Sequence, residues 1–182
     1  MTLLKYAKNA SAPVNRLPPE ILSLIPSPLD SERNLTNFTA VCRYWRHTFT
    51  STPALWTHIN YLRDSRGSAQ LEMLETYLDR SRHRPISVKL EDTELAGHLS
   101  PHLGFVSELE LYFSCSEGFR RIAAHLSKPA PIIRRLVVHC APYFGPDLPI
   151  PPNFLGGDFT SLKALFLLGR FMHFRPHTVS LS

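Results

Sequence analysis

Cys42 is the residue of this sequence best suited to nucleophilic catalysis, because a thiolate is a strong nucleophile. It shares a helical spacing with Phe38 and Trp45, however, and a cysteine on a buried apolar helix face is usually inert. The chain also lacks a Gly-x-Ser-x-Gly turn, a phosphate-binding loop and a dinucleotide fingerprint, and Gly156–Gly157 is more typical of a turn. We therefore expect a protein that is not an enzyme.

Histidines and the other cysteines raise the question of a metal site. His98 and His102 are four residues apart and could share a helix face, but Pro101 weakens a helix there and no third ligand is evident. The other candidate pairs are Cys115 with His125 and His139 with Cys140. Neither has the paired spacing that a tetrahedral zinc site needs, so we expect no metal and no other cofactor.

The composition is that of a compact globular protein. Its 182 residues are 43% hydrophobic and 19% charged, which excludes a disordered tail and a fibrous repeat. The longest apolar run, Ala164–Leu168, is far shorter than the roughly 18 residues that a membrane span needs. The three cysteines are isolated from one another, as is typical of a reducing compartment. We expect a soluble intracellular protein, either cytoplasmic or nuclear.

The net charge of +5 comes mostly from arginines spread along the chain. No block of five like charges occurs, and basic residues do not alternate with glycine and aromatic residues as they do in single-strand binders. Solvated surface positions explain these arginines most simply, although a basic surface can also face an acidic protein. A nucleic-acid binder is therefore only our third hypothesis for function.

Helical spacing dominates residues 16–59. Five apolar side chains follow one another at steps of three and four residues, which predicts one buried helical stripe. They are Leu35, Phe38, Cys42, Trp45 and Phe49. A shorter helix is predicted to begin at Pro18–Pro19, where proline is tolerated, and to end at Pro26 and Pro28. Its predicted buried face consists of Ile21, Leu22 and Ile25.

The same segment contains an ordered set of short motifs. They are Leu17-Pro18-Pro19-Glu20-Ile21-Leu22, Leu29-Asp30, Val41-Cys42-Arg43-Tyr44-Trp45-Arg46, Pro53-Ala54-Leu55-Trp56 and Ile59. In order and approximate spacing, the set resembles the F-box over nearly its whole length. It departs from that family where Pro26 and Pro28 interrupt a stretch that is usually a continuous apolar helix end.

The F-box resemblance implies a small helical unit that docks on the Skp-family adaptor of a cullin–RING ubiquitin ligase. The adaptor-binding residues that it implies are Leu17, Pro18, Ile21, Leu22 and Leu55. They would form an exposed apolar edge, which so small a unit cannot cover itself and which therefore needs a partner groove. The F-box core that it implies is Leu35, Phe38, Val41, Cys42, Trp45, Phe49 and Trp56.

A strand-like pattern recurs after Arg84. Its segments are Ile86–Leu90, Val106–Leu111, Ile133–Val138 and Leu162–Leu167. Corresponding positions lie 23, 27 and 29 residues apart, near the period of a leucine-rich repeat, which predicts one strand per repeat. Without the Asn that many such repeats carry, these repeats would be degenerate. The alternative is a small sheet covered by helices without repeat stacking.

The connections between the predicted strands differ in character. Apolar residues at helical spacing within residues 117–127 predict an outer helix, whereas five prolines within Pro142–Pro152 predict an irregular loop. Another amphipathic helix is predicted from Leu71, Leu74, Tyr77 and Leu78. This helix either connects the F-box-like unit to the repeats or is the first outer helix of the repeats.

The sequence thus predicts an α+β protein of the α/β solenoid type. A small helical F-box-like unit is followed by a short, degenerate leucine-rich-repeat-like region. The predicted parts are a loose N-terminal arm (1–14), the F-box-like domain (15–60), a connecting helix (61–83) and the repeat region (84–182).

Strand alternation predicts which residues face a target protein. With Val88, Leu111 and Val138 directed inward, the opposite parity gives two rows across the strands. The first row is Lys89, Glu110, Val137 and Phe166, and the second is Glu91, Tyr112, His139 and Leu168. All of these except Glu91 are predicted target-binding residues. Phe166 and Leu168 either bind the target protein or form the uncovered face of a last, incomplete repeat. The apolar Phe171–Phe174 segment favours the second interpretation, which predicts that the chain self-associates.

Two hypotheses for function lead. The first is a substrate-recognition adaptor of an SCF-type ubiquitin ligase, with the F-box docked on a Skp-family adaptor and the repeat region binding a target for ubiquitin-dependent degradation. The second is a protein-binding scaffold outside the ligase, in which the F-box remnant only packs on the repeats. Binding of a Skp-family protein separates the two.

Overall fold

The computed structural model describes residues 12–26, 32–61, 68–91, 93–140 and 150–168. Some of the predictions lie outside these ranges. They are the arm as far as residue 11, Pro28 with the Leu29-Asp30 motif, residues 141–149 of the proline-rich loop, and Phe171–Phe174. None of the described helices is long and apolar enough to cross a membrane.

Three helices form the N-terminal part of the described chain: α1 (Pro19–Leu22), α2 (Glu32–Val41) and α3 (Arg43–Ser51). Single 3-10 turns precede and follow them at Pro13–Arg16 and Pro53–Trp56. Both 3-10 turns and α1 have proline in the first turn, where the missing N–H has no intrahelical partner to lose.

The predicted single helix across residues 35–49 is wrong. Cys42 adopts an extended backbone between α2 and α3, and its carbonyl accepts the Arg46 N–H at 2.9 Å as the helix resumes. The two helices pack against each other, so the apolar residues on both sides of the break still meet in one core.

Five parallel strands form one sheet: β1 (His58–Tyr61), β2 (Ile86–Leu90), β3 (Val106–Phe113), β4 (Arg135–Cys140) and β5 (Ala164–Leu168). Their spatial order is their chain order, with β1 and β5 at the two edges. The four predicted strands are present. β1 was not predicted, because Ile59 was read only as the end of the F-box motif; the alternation of His58, Ile59 and Asn60 was the available signal.

Helices connect successive strands. They are α4 (Ser68–Ser81), α5 (Thr93–Leu99), the 3-10 segment Ser100–Phe105 and α6 (Ser116–His125). The structure confirms the predicted amphipathic helices as α4 and α6, whereas α5 was not predicted. Before β5 the chain turns at Phe154–Gly157, where Gly156 has a φ of 75° and a side chain would collide with the backbone of Pro129. This confirms the predicted turn.

The core lies on one face of the sheet. Alternate strand residues such as Val88, Leu111 and Val138 are fully buried, and they share one apolar cluster with the buried residues of α4, α5 and α6. Ring contact between Trp56 and Tyr77, 4.9 Å between centroids, extends this core into the N-terminal helices. The opposite face, which we call the open face, carries the other strand residues, and no described helix covers it.

Candidate functional site

An apolar edge within residues 17–25 is the first candidate site. Pro18 and Ile21 are exposed, Leu17 is half-buried, and Leu24 and Ile25 are exposed as well. Ile21 is 49% and Leu24 76% accessible, which is unusual for large aliphatic side chains. We call Leu17, Pro18, Ile21, Leu24 and Ile25 the apolar edge.

Two hydrogen bonds hold the apolar edge on α3. The Tyr44 hydroxyl donates to the Leu17 carbonyl at 2.6 Å, and the Trp45 indole N–H donates to Asn15 Oδ1 at 2.6 Å. The edge is therefore held by its own Leu17 carbonyl and by the neighbouring Asn15 side chain, which leaves its exposed apolar side chains available for a partner.

The structure corrects two expectations for this edge. Leu22 is fully buried in the shared core, so it cannot be part of an exposed surface. Ile21 and Ile25 are exposed, so the predicted buried face of α1 reduces to Leu22. The physical reason is the length of α1: one turn presents a single position to the core. Leu55, in the Pro53–Trp56 turn, is half-buried and packs on the core.

An aromatic cluster forms the core beneath the edge. Trp45 stacks on Phe38 with ring centroids 5.8 Å apart, and it meets Phe49 edge-on at 5.5 Å. The predicted core residues that are buried are Leu35, Trp45, Phe49 and Trp56, whereas Phe38 and Cys42 are half-buried against them. Val41 is exposed, which corrects its assignment to the core; the helix break at Cys42 leaves it at the end of α2, facing solvent.

The second candidate site is a polar cluster on the open face. Glu110 on β3 accepts hydrogen bonds from Lys89 Nζ at 3.1 Å and pairs with His139 Nε2 at 3.0 Å. The Tyr112 hydroxyl also donates to this carboxylate, and the Tyr112 ring stacks on the His139 ring at 4.1 Å. We call Lys89, Glu110, Tyr112 and His139 the Glu110 cluster.

The predicted rows across the strands are confirmed in register. Lys89 pairs with Glu110, Glu110 with Val137, and Val137 with Phe166. In the second row Tyr112 pairs with His139 and His139 with Leu168, whereas Glu91 lies beyond the end of β2. Their role in target binding stays a prediction.

Val137 departs from the expected exposure of its row. Only 3% of its surface is accessible, although it lies on the open face and outside the core cluster. Its neighbours on both adjacent strands, Glu110 and Phe166, are longer side chains, so a small β-branched residue between them is covered. Val137 therefore packs beneath the exposed side chains of the open face and is not available for direct contact with a target protein.

Electrostatics distinguish the members of the Glu110 cluster. Burial by itself would raise the pKa of Glu110, but hydrogen bonds from Tyr112, Lys89 and His139, together with the Lys89 charge, outweigh it and lower that pKa. Burial, and then the hydrogen bond to Glu110 and its charge, raise the pKa of Tyr112 to about 12. The cluster thus holds an ionised carboxylate beside a neutral phenol at neutral pH.

Residues 14–61 match the F-box-like family. The match begins within the 3-10 turn at Pro13–Arg16, covers the three helices and β1, and includes both the apolar edge and the aromatic cluster. We call residues 14–61 the F-box-like segment. No curated protein and no solved structure shows a significant match to the chain.

His139 and Cys140, one of the pairs considered for metal binding, do not converge on one site. His139 and Cys140 are neighbours on β4 and therefore point to opposite faces, with Cys140 buried. Burial, and then the nearby Cys115, raise the pKa of the Cys140 thiol. Within the described ranges, no three His, Cys, Asp or Glu side chains are grouped as metal ligands.

A cleft of about 710 Å³ lies beside α4 and α5. It is lined in part by Glu75, His83, His98 and His102, and the His98 Nδ1 atom lies 3.7 Å from Glu75 Oε1. Burial, and then the proximity of His83, lower the pKa of His102, which favours its neutral form. The two histidines that the sequence singled out therefore line a common cleft, although the helix ends between them at Leu99.

Replacing Glu110 with glutamine should lower the pKa of Tyr112 from about 12 toward the ordinary value near 10. In the folded protein the Tyr112 phenol stays neutral to a higher pH than in the unfolded chain. The raised pKa therefore adds to the free energy of unfolding below pH 10, and this contribution is lost as the pH rises toward 12. Phenolate absorbance, measured for each protein against its Tyr112→Phe counterpart, reports the titration of this side chain. An unchanged titration in Glu110→Gln would show that burial alone sets the pKa.

Proposed function

We propose that this protein is a substrate-recognition adaptor of an SCF-type cullin–RING ubiquitin ligase and is not itself an enzyme. The observation that carries the proposal is the F-box-like match over residues 14–61, in a segment whose apolar edge is exposed. F-box domains bind Skp-family adaptors. The apolar edge supplies the kind of contact that such docking needs, because large aliphatic side chains gain most by burial in a groove.

The sheet is the proposed target-binding region, in a leucine-rich-repeat-like arrangement. Support comes from the parallel strands in chain order, the helices on one face, and the near-regular spacing of the strand segments. The open face then corresponds to the side on which such repeats bind other proteins. Its predicted target-binding residues are Lys89, Glu110, Tyr112, His139, Phe166 and Leu168, with Val137 as their support.

The fold separates the two proposed binding surfaces. β1 ends the F-box-like segment and forms one edge of the sheet, while β5 forms the other edge. Four strand spacings of about 4.8 Å place β5 about 19 Å from β1. A target held near β5 would therefore lie about four strands from the point where the F-box-like segment joins the sheet, which favours binding of target and Skp-family adaptor at the same time.

Co-purification tests this function. The tagged full chain, expressed in its own cells, should recover a Skp-family adaptor together with a cullin, because the F-box-like segment would link the two. The intracellular location that we propose, cytoplasmic or nuclear, is where those partners are present. Recovery of other proteins without either ligase subunit would favour the alternative, a scaffold outside the ligase.

A further inference from the structure

We propose that β5 binds an extended peptide of acidic and apolar residues, which adds to the sheet as a sixth strand. The proposal rests on the proposed function, because it specifies which segment of a target protein the open face would hold. Three features of the described chain support it: the backbone edge of β5, the apolar side chains on its open face, and nearby cations that make no ion pair with a described carboxylate.

The edge of β5 offers backbone hydrogen bonds. The Ala164 N–H donates to the Arg134 carbonyl at 3.0 Å, so Ala164, Phe166 and Leu168 direct their backbone groups to β4. Leu165 and Leu167 then direct theirs away from β4, and no strand of the described chain pairs with β5 on that side. β5 contains no charged residue and no proline, the usual protections of an edge strand. It is therefore open to strand addition.

Two large apolar side chains stand beside this edge. Phe166 is 47% and Leu168 50% accessible, whereas Val137, the partner of Phe166 on β4, is covered. The residues on the other face of β5, Leu165 and Leu167, are only half-buried, although their partners Leu136 and Val138 on β4 are fully buried. An added strand would lie beside both faces of β5, and its apolar side chains, at alternate positions, would pack on the face that carries Phe166 and Leu168.

Three cations lie at the N-terminal end of β4 and β5. Arg134, Arg135 and Lys163 are exposed, and none of them has a carboxylate within ion-pair distance in the described part of the chain. The Lys163 N–H donates to the Arg134 carbonyl at 2.8 Å, which places these two residues side by side just before β5 and β4. Lys89, by contrast, is neutralised by Glu110. Three cations that make no ion pair with a described carboxylate thus lie next to β5, and Arg135 among them has the parity of the open face.

Glu108, the acidic residue opposite Arg135 in the sheet register, hydrogen-bonds in the other direction. Glu108 is opposite Arg135 in the register, but its carboxylate accepts the Ser87 hydroxyl at 3.2 Å, toward β2. The Arg135 guanidinium lies over the Phe166 ring at 5.5 Å, toward β5. Asp158 accepts the Thr160 N–H within its own turn. The Arg135 positive charge and the Phe166 ring therefore lie together beside the free edge of β5.

Charge and backbone geometry favour a peptide over other occupants. A second copy of this chain would carry another net charge of +5, which opposes association through a basic edge. Nucleic acid would use the cations but not the outward N–H and C=O groups of Leu165 and Leu167. An acidic peptide with apolar residues at alternate positions uses the cations, the apolar side chains and the backbone edge.

Fluorescence anisotropy with labelled peptides tests the proposal on the full chain. The probe is an eight-residue peptide of alternating glutamate and valine. Its comparisons are the same peptide with lysine for glutamate and one with two valines replaced by proline, which removes backbone donors. We expect the glutamate peptide to bind at least ten-fold more tightly than either comparison peptide.

Charge reversal on the protein supplies the matched control. Arg135→Glu with Lys163→Glu should weaken binding of the glutamate peptide at least ten-fold. Arg120→Glu with Arg121→Glu makes the same change of net charge on α6, on the helical side of the sheet, and should alter binding less than two-fold. All four positions are exposed, so both variants should fold, and thermal unfolding of each checks this.

Several outcomes would overturn the proposal. They are equal binding of the glutamate and lysine peptides, equal binding of the proline peptide, tighter binding of a single-stranded oligonucleotide, or a dimer in sedimentation that the peptide does not displace. Binding of a Skp-family adaptor is measured on the same preparation. If the chain binds the adaptor but not the peptide, only this inference is rejected. If it binds the peptide but not the adaptor, only the ligase function is rejected.

Discussion

Replacing Trp45 with alanine should lower the free energy of unfolding by about 3–5 kcal/mol, the usual cost of removing a large buried aromatic side chain. Trp45 packs between Phe38 and Phe49, and its indole N–H donates to Asn15. Since each kcal/mol shifts the thermal midpoint of a chain this long by about 2–4 °C, the midpoint should fall by about 6–20 °C. Calorimetry or circular dichroism measures the shift.

Two variants calibrate the Trp45 result. Trp45→Phe keeps an aromatic ring but loses the hydrogen bond to Asn15, and it should cost less than the alanine variant. His47→Ala, at an exposed position of the same helix, should change stability by no more than about 0.5 kcal/mol. A Trp45→Ala protein that melts at the wild-type temperature would show that this aromatic cluster does not hold the F-box-like segment together.

Replacing Leu17 and Pro18 together with alanine should weaken binding to a Skp-family adaptor at least about thirty-fold. Buried apolar anchors at an interface often contribute about 2 kcal/mol each, and one such anchor already corresponds to that factor. Pro18 is exposed and Leu17 half-buried in the free protein, so the fold should survive. Isothermal titration calorimetry with purified adaptor measures the change.

Two controls separate docking from folding. Leu168→Ala removes an exposed leucine from the sheet, and it should leave adaptor binding unchanged. Leu22→Ala, by contrast, empties a fully buried position and should lower the free energy of unfolding by about 2–5 kcal/mol. Wild-type adaptor affinity in the folded Leu17/Pro18 double variant would refute the docking role of the apolar edge.

Strand positions and faces could be predicted because they depend on a local pattern. Alternation along Val106–Phe113 or Arg135–Cys140 determines which side chains face the core, and it does so whatever the neighbouring strands are. The regular spacing of the segments also gave the correct partners, such as Glu110 with Val137. Burial of Val137 could not be predicted, because it depends on the sizes of side chains on two other strands.

Helix boundaries in the F-box-like segment were less predictable. The residues at 35, 38, 42, 45 and 49 keep helical spacing through Cys42, so nothing in the apolar pattern indicates the break there. Leu22 and Ile21 are adjacent aliphatic residues, and only the orientation of α1 on α3 decides which one is buried. The break at Cys42 and the burial of Leu22 both depend on packing between helices, which cannot be predicted from the spacing of apolar residues along one helix.

The Glu110 cluster was found only in part. Lys89, Glu110, Tyr112 and His139 were all placed on the open face by strand parity. Their convergence on one carboxylate depends on side-chain conformations across three strands, which register alone does not specify. The exposure of Leu24 was missed, because it follows α1 where no periodic pattern applies.

Titration of the purified full chain with a purified Skp-family adaptor tests the central claim most directly. The account predicts a stoichiometric one-to-one complex, formed through the apolar edge of the F-box-like segment. That complex should still bind the glutamate peptide at β5, because β5 and β1, the strand that ends the F-box-like segment, form opposite edges of the sheet. Absence of any complex with a correctly folded wild-type chain would contradict the account and favour a scaffold outside the ligase.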